Sequence, residues 1–211
     1  QIAYDLKFPG VTSFYSWASK NTFSGYGADS ATTEISVKYL YEYILNIWKH
    51  SSTKKIHILA HSMGNRILMN VLRKIKENDI DIQFGHIILV APDVDKELFE
   101  EYSYLYNEHS EMSTLYVSSE DKAVRASYKI HQNNRVGLSP PVVVEKGIDT
   151  IHASSVVERA LWDLGHSYYA EAEALILDMH ELLTSSVEAK KRQKLQKVEV
   201  LNKRYWQLNL V

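Results

Sequence analysis

The sequence predicts an α/β fold, a mostly parallel sheet with helices on both faces, and three observations carry that expectation. Short β-branched runs alternate with longer stretches of helical period, the pattern of successive βαβ units. One of the short runs, His86-Ile87-Ile88-Leu89-Val90-Ala91, is almost continuously apolar, as a parallel strand covered on both faces should be. The composition of the 211 residues, 45% hydrophobic with 24% charged and 11% aromatic, is that of a chain with a real core rather than of a disordered one.

The elements follow in order. Val11 to Trp17, after Pro9-Gly10, reads as a strand and residues 18–29, with Gly25 and Gly27, as a loop. A helix is expected from about Thr33, because Val37, Leu40, Tyr41, Ile44 and Trp48 recur at spacings of three and four. Ile56 to Ala60 reads as a strand, and Met63 to Lys76 as a helix with a buried stripe of Ile67, Leu68, Val71 and Ile75. The His86–Ala91 strand ends at Pro92, Asp95 to Asn107 is expected to be helical with Asp95 as its cap, and Ser113 to Ser118 is a strand. Lys122 to His131 is a further helix, residues 132–141 form a Gly/Pro/Asn loop, and Thr150 to Ala153 is the last strand. The final core helix is expected from about Ser167, with Tyr168, Ala172, Leu175, Met179 and Leu182 in register. Residues 1–185 are therefore expected to form one core.

Residues 186–211 differ in charge. They hold seven bases and two acids, a net of +5, while the preceding 185 residues carry a net of −7. A solvated helix packing through Leu195, Val198, Leu201 and Trp206 is the plain expectation; a basic tail that meets an acidic partner or a membrane surface is the other. The whole chain, at a net of −2, has no global field for nucleic acid. It has no cysteine, which removes disulfides, thiolate zinc sites and a cysteine nucleophile together. Asp93-Val94-Asp95 has no matching His pair nearby in sequence and is a weak metal pattern, so neither metal nor cofactor is expected. No apolar run approaches the roughly 18 residues that a membrane span needs.

The segment that carries chemistry is Ile56-His57-Ile58-Leu59-Ala60-His61-Ser62-Met63-Gly64-Asn65-Arg66. It reads as a buried strand, a small-x-Ser-x-small turn and then an amphipathic helix. Such a turn forces the serine into a strained conformation with its hydroxyl exposed, and bulk two residues to either side would meet neighbouring backbone. Ala60 and Gly64 meet that need. The following helix aims its free N–H groups at the serine, so the Met63 N–H is a candidate oxyanion donor.

A serine hydroxyl attacks only when a base takes its proton, and the base needs an orienting acid. Where this elbow is catalytic, the chain order is Ser, then Asp or Glu, then His. His50, His57, His61, His86, His109 and His131 come too early for that order. Of His152, His166 and His180, the preferred base is His166, which follows Leu164-Gly165 at a turn into the final helix. The preferred acid is Asp121, just past the Thr114–Ser118 run, with Glu120 its adjacent rival and Asp93 and Asp95 open to a variant arrangement. Trp17, Phe23 and Tyr26 are candidates to line an acyl pocket, against a plain reading as aromatic packing over the sheet edge.

Five segments, Ser16-Trp17, Ala60–Arg66, Ala91–Asp95, Ser118–Asp121 and Leu164–Tyr168, resemble a bacterial α/β-hydrolase family of unassigned substrate, esterase- or lipase-like in character. The resemblance covers about residues 1–185. It implies Ser62, Asp121 and His166 as the triad. It also implies a strand and a His-Gly-type loop with a second oxyanion donor ahead of these motifs, and Gln1 to Phe8 then looks like the end of the helix that follows them. The expected activity is cleavage of a lipid or small acyl ester. The alternative is a non-catalytic scaffold that binds an acidic partner or a membrane surface through residues 186–211.

Overall fold

A computed structural model describes residues 2–19, 26–53, 55–153, 173–200 and 202–209. After a single helical turn α1 (Ile2–Asp5), the chain forms α2 (Tyr26–His50), β1 (Ile58–His61), α3 (Gly64–Glu77) and β2 (Phe84–Val90). It continues through α4 (Lys96–Tyr102), α5 (Tyr104–His109), β3 (Ser110–Val117), α6 (Lys122–His131) and β4 (Ile148–His152). Helix α7 (Glu173–Ser185) leads into a 3-10 turn at Ala189–Lys191 and the strands β5 (Leu195–Val200) and β6 (Lys203–Leu208).

The six strands form one sheet in the order β1-β2-β3-β4-β6-β5. Strands β1 to β4 run parallel, β6 joins β4 in parallel through Ile151–Trp206 and His152–Gln207, and β5 closes the far edge antiparallel to β6. All seven residues of β2 are buried, which explains why its sequence does not alternate.

Each face of the sheet packs on helices. On one face the α3 stripe of Ile67, Leu68, Val71, Leu72 and Ile75 meets Ile87, Leu89, Leu115 and Val117, with Ile44 of α2 behind it. On the other, Leu175, Met179 and Leu182 of α7 cover Ile88, Val90, Tyr116, Ile151 and Trp206. The α/β class and the helices on both faces are as expected.

Four local expectations are corrected. Val11–Trp17 forms no strand: it runs extended along α2, with the Tyr15 hydroxyl donating to the Ser36 carbonyl at 3.0 Å and the Ser13 and Tyr43 hydroxyls in contact. Its Val11 and Phe14 are almost wholly exposed, so the β-branched and aromatic residues that suggested a strand do not line a buried face. Helix α2 starts at Tyr26, well ahead of Thr33, and the long helix from Asp95 is divided at Ser103 into α4 and α5.

The fourth correction concerns the tail. It is not a helix but a hairpin turning at Asn202, whose φ of 61° suits the left-handed region that asparagine tolerates. Trp206 and Leu208 of β6 are buried with Lys203 and Arg204 exposed, and burial every second residue is the strand period. Arg192 is buried between Asp178 of α7 and the Tyr116 hydroxyl of β3. Lys190 and Lys197 pair with Glu188 and Glu199, so part of the positive charge is used inside the tail. No helix among the described residues is long and apolar enough to cross a membrane.

Candidate active site

Ser62 lies between β1 and α3, at the carboxyl end of the sheet, with φ at 51°. A residue with a Cβ pays about 1–2 kcal/mol to stand in that left-handed region, and it persists only where its surroundings hold it. The holding groups are explicit. The Ser62 N–H donates to the Val90 carbonyl at 3.1 Å, and the Ser62 carbonyl accepts from the N–H groups of Asn65 at 3.1 Å and Asp93 at 3.2 Å. The buried Asn65 amide reaches the carbonyls of Ala60 (3.2 Å), Ser62 (3.0 Å) and Val90 (3.3 Å), tying β1, the turn and β2 together. Met63 precedes the first helical residue of α3, whose first turn carries no acid, so the positive end of the helix dipole faces the turn.

Asp121 follows β3 and is fully buried. Its carboxylate caps α6, Oδ1 accepting from the Val124 N–H at 2.9 Å. The adjacent Glu120 is turned to its own neighbour, Oε1 accepting from the Ser119 hydroxyl at 2.9 Å. Ser62 and Asp121 thus follow the carboxyl ends of β1 and β3, two strands that flank β2 and stand about 10 Å apart at strand spacing. His166 lies outside the described residues, as does Phe23.

Two other histidines considered for the base have structural partners. His180 of α7 donates from Nδ1 to the Leu6 carbonyl at 2.6 Å, and His152 at the end of β4 meets the Gln207 side chain at 2.9 Å. Trp17 packs against the α2–α3 side of the core, and Tyr26 opens α2. A surface cavity of about 400 Å³ bounded by Lys76, Asp79, Ile82, Glu108 and His109 lies at the far end of α3, at the amino ends of the strands, away from Ser62. Among the described residues no three histidines or carboxylates are placed to hold a metal.

A polar network beside the turn was not anticipated. Asp93 accepts from the Ser127 hydroxyl of α6 at 2.5 Å and faces Arg135 Nε at 3.6 Å, with all three side chains buried. The loop that carries Arg135 lies on the strand ends: Gly137 N donates to the Pro92 carbonyl and the Ser118 N to the Gly137 carbonyl, at 2.9 and 3.0 Å.

A mostly parallel sheet flanked by helices, with a left-handed serine between a strand and a helix at its carboxyl end, defines an α/β-hydrolase. Residues 1–186 match the model of a family described as alpha/beta hydrolase of unknown function (DUF900), and the chain belongs to that family. No curated protein and no solved structure matches it.

Proposed function

We propose that this hydrolase is a serine esterase, acting on a lipid or small acyl ester through an acyl-enzyme on Ser62. The observation that carries the reading is the left-handed φ of 51° at Ser62, kept by backbone and Asn65 contacts from three directions. A strained serine so firmly held is what a nucleophile needs and what a simple loop residue does not.

In this reading Ser62 Oγ attacks the acyl carbonyl while His166 takes its proton, and the Met63 N–H donates to the oxyanion. Asp121 orients His166 and stabilises its charge. The proton then passes from His166 to the leaving alcohol, and the C–O bond breaks. Water, deprotonated by His166, attacks the acyl-enzyme and releases the carboxylic acid and free Ser62. No cofactor or metal is needed.

The test is reaction with a fluorophosphonate probe followed by intact mass and peptide mapping. One adduct on Ser62, absent from Ser62→Ala and slowed in His166→Gln and Asp121→Asn, is the expected result. An unreactive Ser62 would sink the esterase reading and favour a non-catalytic scaffold with the tail as a binding surface.

A further inference from the structure

We propose that Asp93 is a positioning residue for the oxyanion donor, acting through the peptide unit between Ser62 and Met63; this rests on reading Ser62 as the nucleophile. The Ser62 carbonyl and the Met63 N–H belong to one planar trans peptide, so whatever grips the carbonyl sets the direction of the N–H. Asp93 grips it: its backbone N–H donates to the Ser62 carbonyl at 3.2 Å, sharing that oxygen with Asn65.

The Asp93 side chain anchors this grip to the other half of the site. Its Oδ1 accepts from Ser127 at 2.5 Å, and Ser127 lies on α6, the helix that Asp121 caps. Arg135 Nε stands 3.6 Å from the same oxygen, and the Asp93 carbonyl accepts from Arg66 Nη2 of α3 at 3.4 Å. Asp93 is therefore the shared point of the helix after the serine, the helix after the acid and the loop over the strand ends. The carboxylate is buried, so its position follows α6 rather than solvent. A shift of α6 relative to β1 would pass through Asp93 into the tilt of the Met63 N–H.

The experiment compares wild type with Asp93→Asn, Ser127→Ala and Ser127→Thr. It measures the second-order rate of fluorophosphonate labelling against pH, and kcat and KM for p-nitrophenyl acetate. A whole oxyanion donor is worth about 10²–10³ in rate, so a misdirected one should lower the labelling plateau and kcat about tenfold. KM and the pH midpoint of labelling should stay unchanged, and Ser127→Thr, which keeps the hydroxyl, should restore the rate. Thermal unfolding of each variant, read alongside, separates misdirection from loss of folded protein; Ser127→Ala keeps the Asp93–Arg135 pair and serves if Asp93→Asn does not fold. Wild-type rates in the folded variants would overturn the positioning role and leave the esterase reading intact. Failure of wild type to label would remove both.

Discussion

Arg192 Nη1 lies 2.8 Å from Asp178 Oδ2 with neither side chain exposed to solvent, and the pair fastens the last segment of the chain to α7. The Tyr116 hydroxyl donates to the same carboxylate oxygen at 2.6 Å, so β3 is included. Burial pushes the pKa of the Asp178 carboxyl up from its ordinary value, and the Arg192 charge opposes that shift. Taking away one member of such a pair strands a buried charge, at a cost of about 3–5 kcal/mol. Arg192→Met should therefore be strongly destabilised in urea unfolding. Arg192→Met with Asp178→Asn should recover part of the loss, because the amide still accepts from Tyr116 and carries no charge. Additive effects of the two substitutions would mean that the pair is not coupled.

The strain at Ser62 is measurable in the folded protein. Glycine stands at a φ of 51° without the Cβ penalty that serine and alanine share. Ser62→Gly should be more stable than Ser62→Ala by about 1 kcal/mol, even though glycine is the more flexible residue in the unfolded chain. Both should be inert to the fluorophosphonate. Equal urea midpoints would show that the left-handed turn is not maintained.

Gly137 makes a contact that no other residue could make unchanged. A Cβ there would stand 2.6 Å from the Ala91 carbonyl carbon and 2.7 Å from Pro92 N, which are backbone atoms and cannot swing aside. Gly137→Ala should cost about 1–3 kcal/mol, the range for overpacking a close-packed site. Because Pro92 leads directly to Asp93, the substitution should also slow labelling of Ser62. A melting temperature equal to that of wild type would exclude the close approach.

What the sequence made legible was local. The α3 stripe could be read because Ile67, Leu68, Val71 and Ile75 repeat at the helical period, and all four are buried. The elbow could be read because Ser62 stands between an apolar run and that stripe; the small residue expected at Gly64 is not demanded by space, since a Cβ there would meet nothing within 4 Å. The tail could not. Leu195, Val198, Leu201 and Trp206 fit a helical spacing loosely, and only pairing with β4 and β5 makes Trp206 and Leu208 an inner face. The Asp93–Ser127–Arg135 network was hidden for the same reason, since its partners are far apart in sequence and belong to no periodic pattern. Asp121 was legible by position, but its capping of α6 was not read, although Asp95 in the equivalent place before α4 was.

Acid should loosen the amino end of the sheet before it touches the elbow. His86 of β2 is buried, its ring stacked 4.9 Å from that of His57 and its Nε2 3.0 Å from the Ser186 hydroxyl. Burial first, then the nearby His57, Lys55 and Arg192, lower its pKa to about 4, with Glu111 pulling the other way. The folded protein thus keeps His86 neutral where the unfolded chain, with an imidazole pKa of about 6.5, binds a proton. More protons bound in the unfolded state means stability that rises with pH. The contribution of His86 is complete above about pH 6.5 and is lost as pH falls from there toward about 4. His57, also lowered mainly by burial, adds in the same direction. Asp178, raised by burial, acts in the opposite sense at the acid end. Thermal unfolding between about pH 7.5 and 4.5 should show a falling midpoint in wild type and a shallower fall in His86→Gln, which cannot take up a proton in that range. Parallel curves for the two proteins would show that His86 titrates alike folded and unfolded, and the stacked pair would then have no part in acid lability.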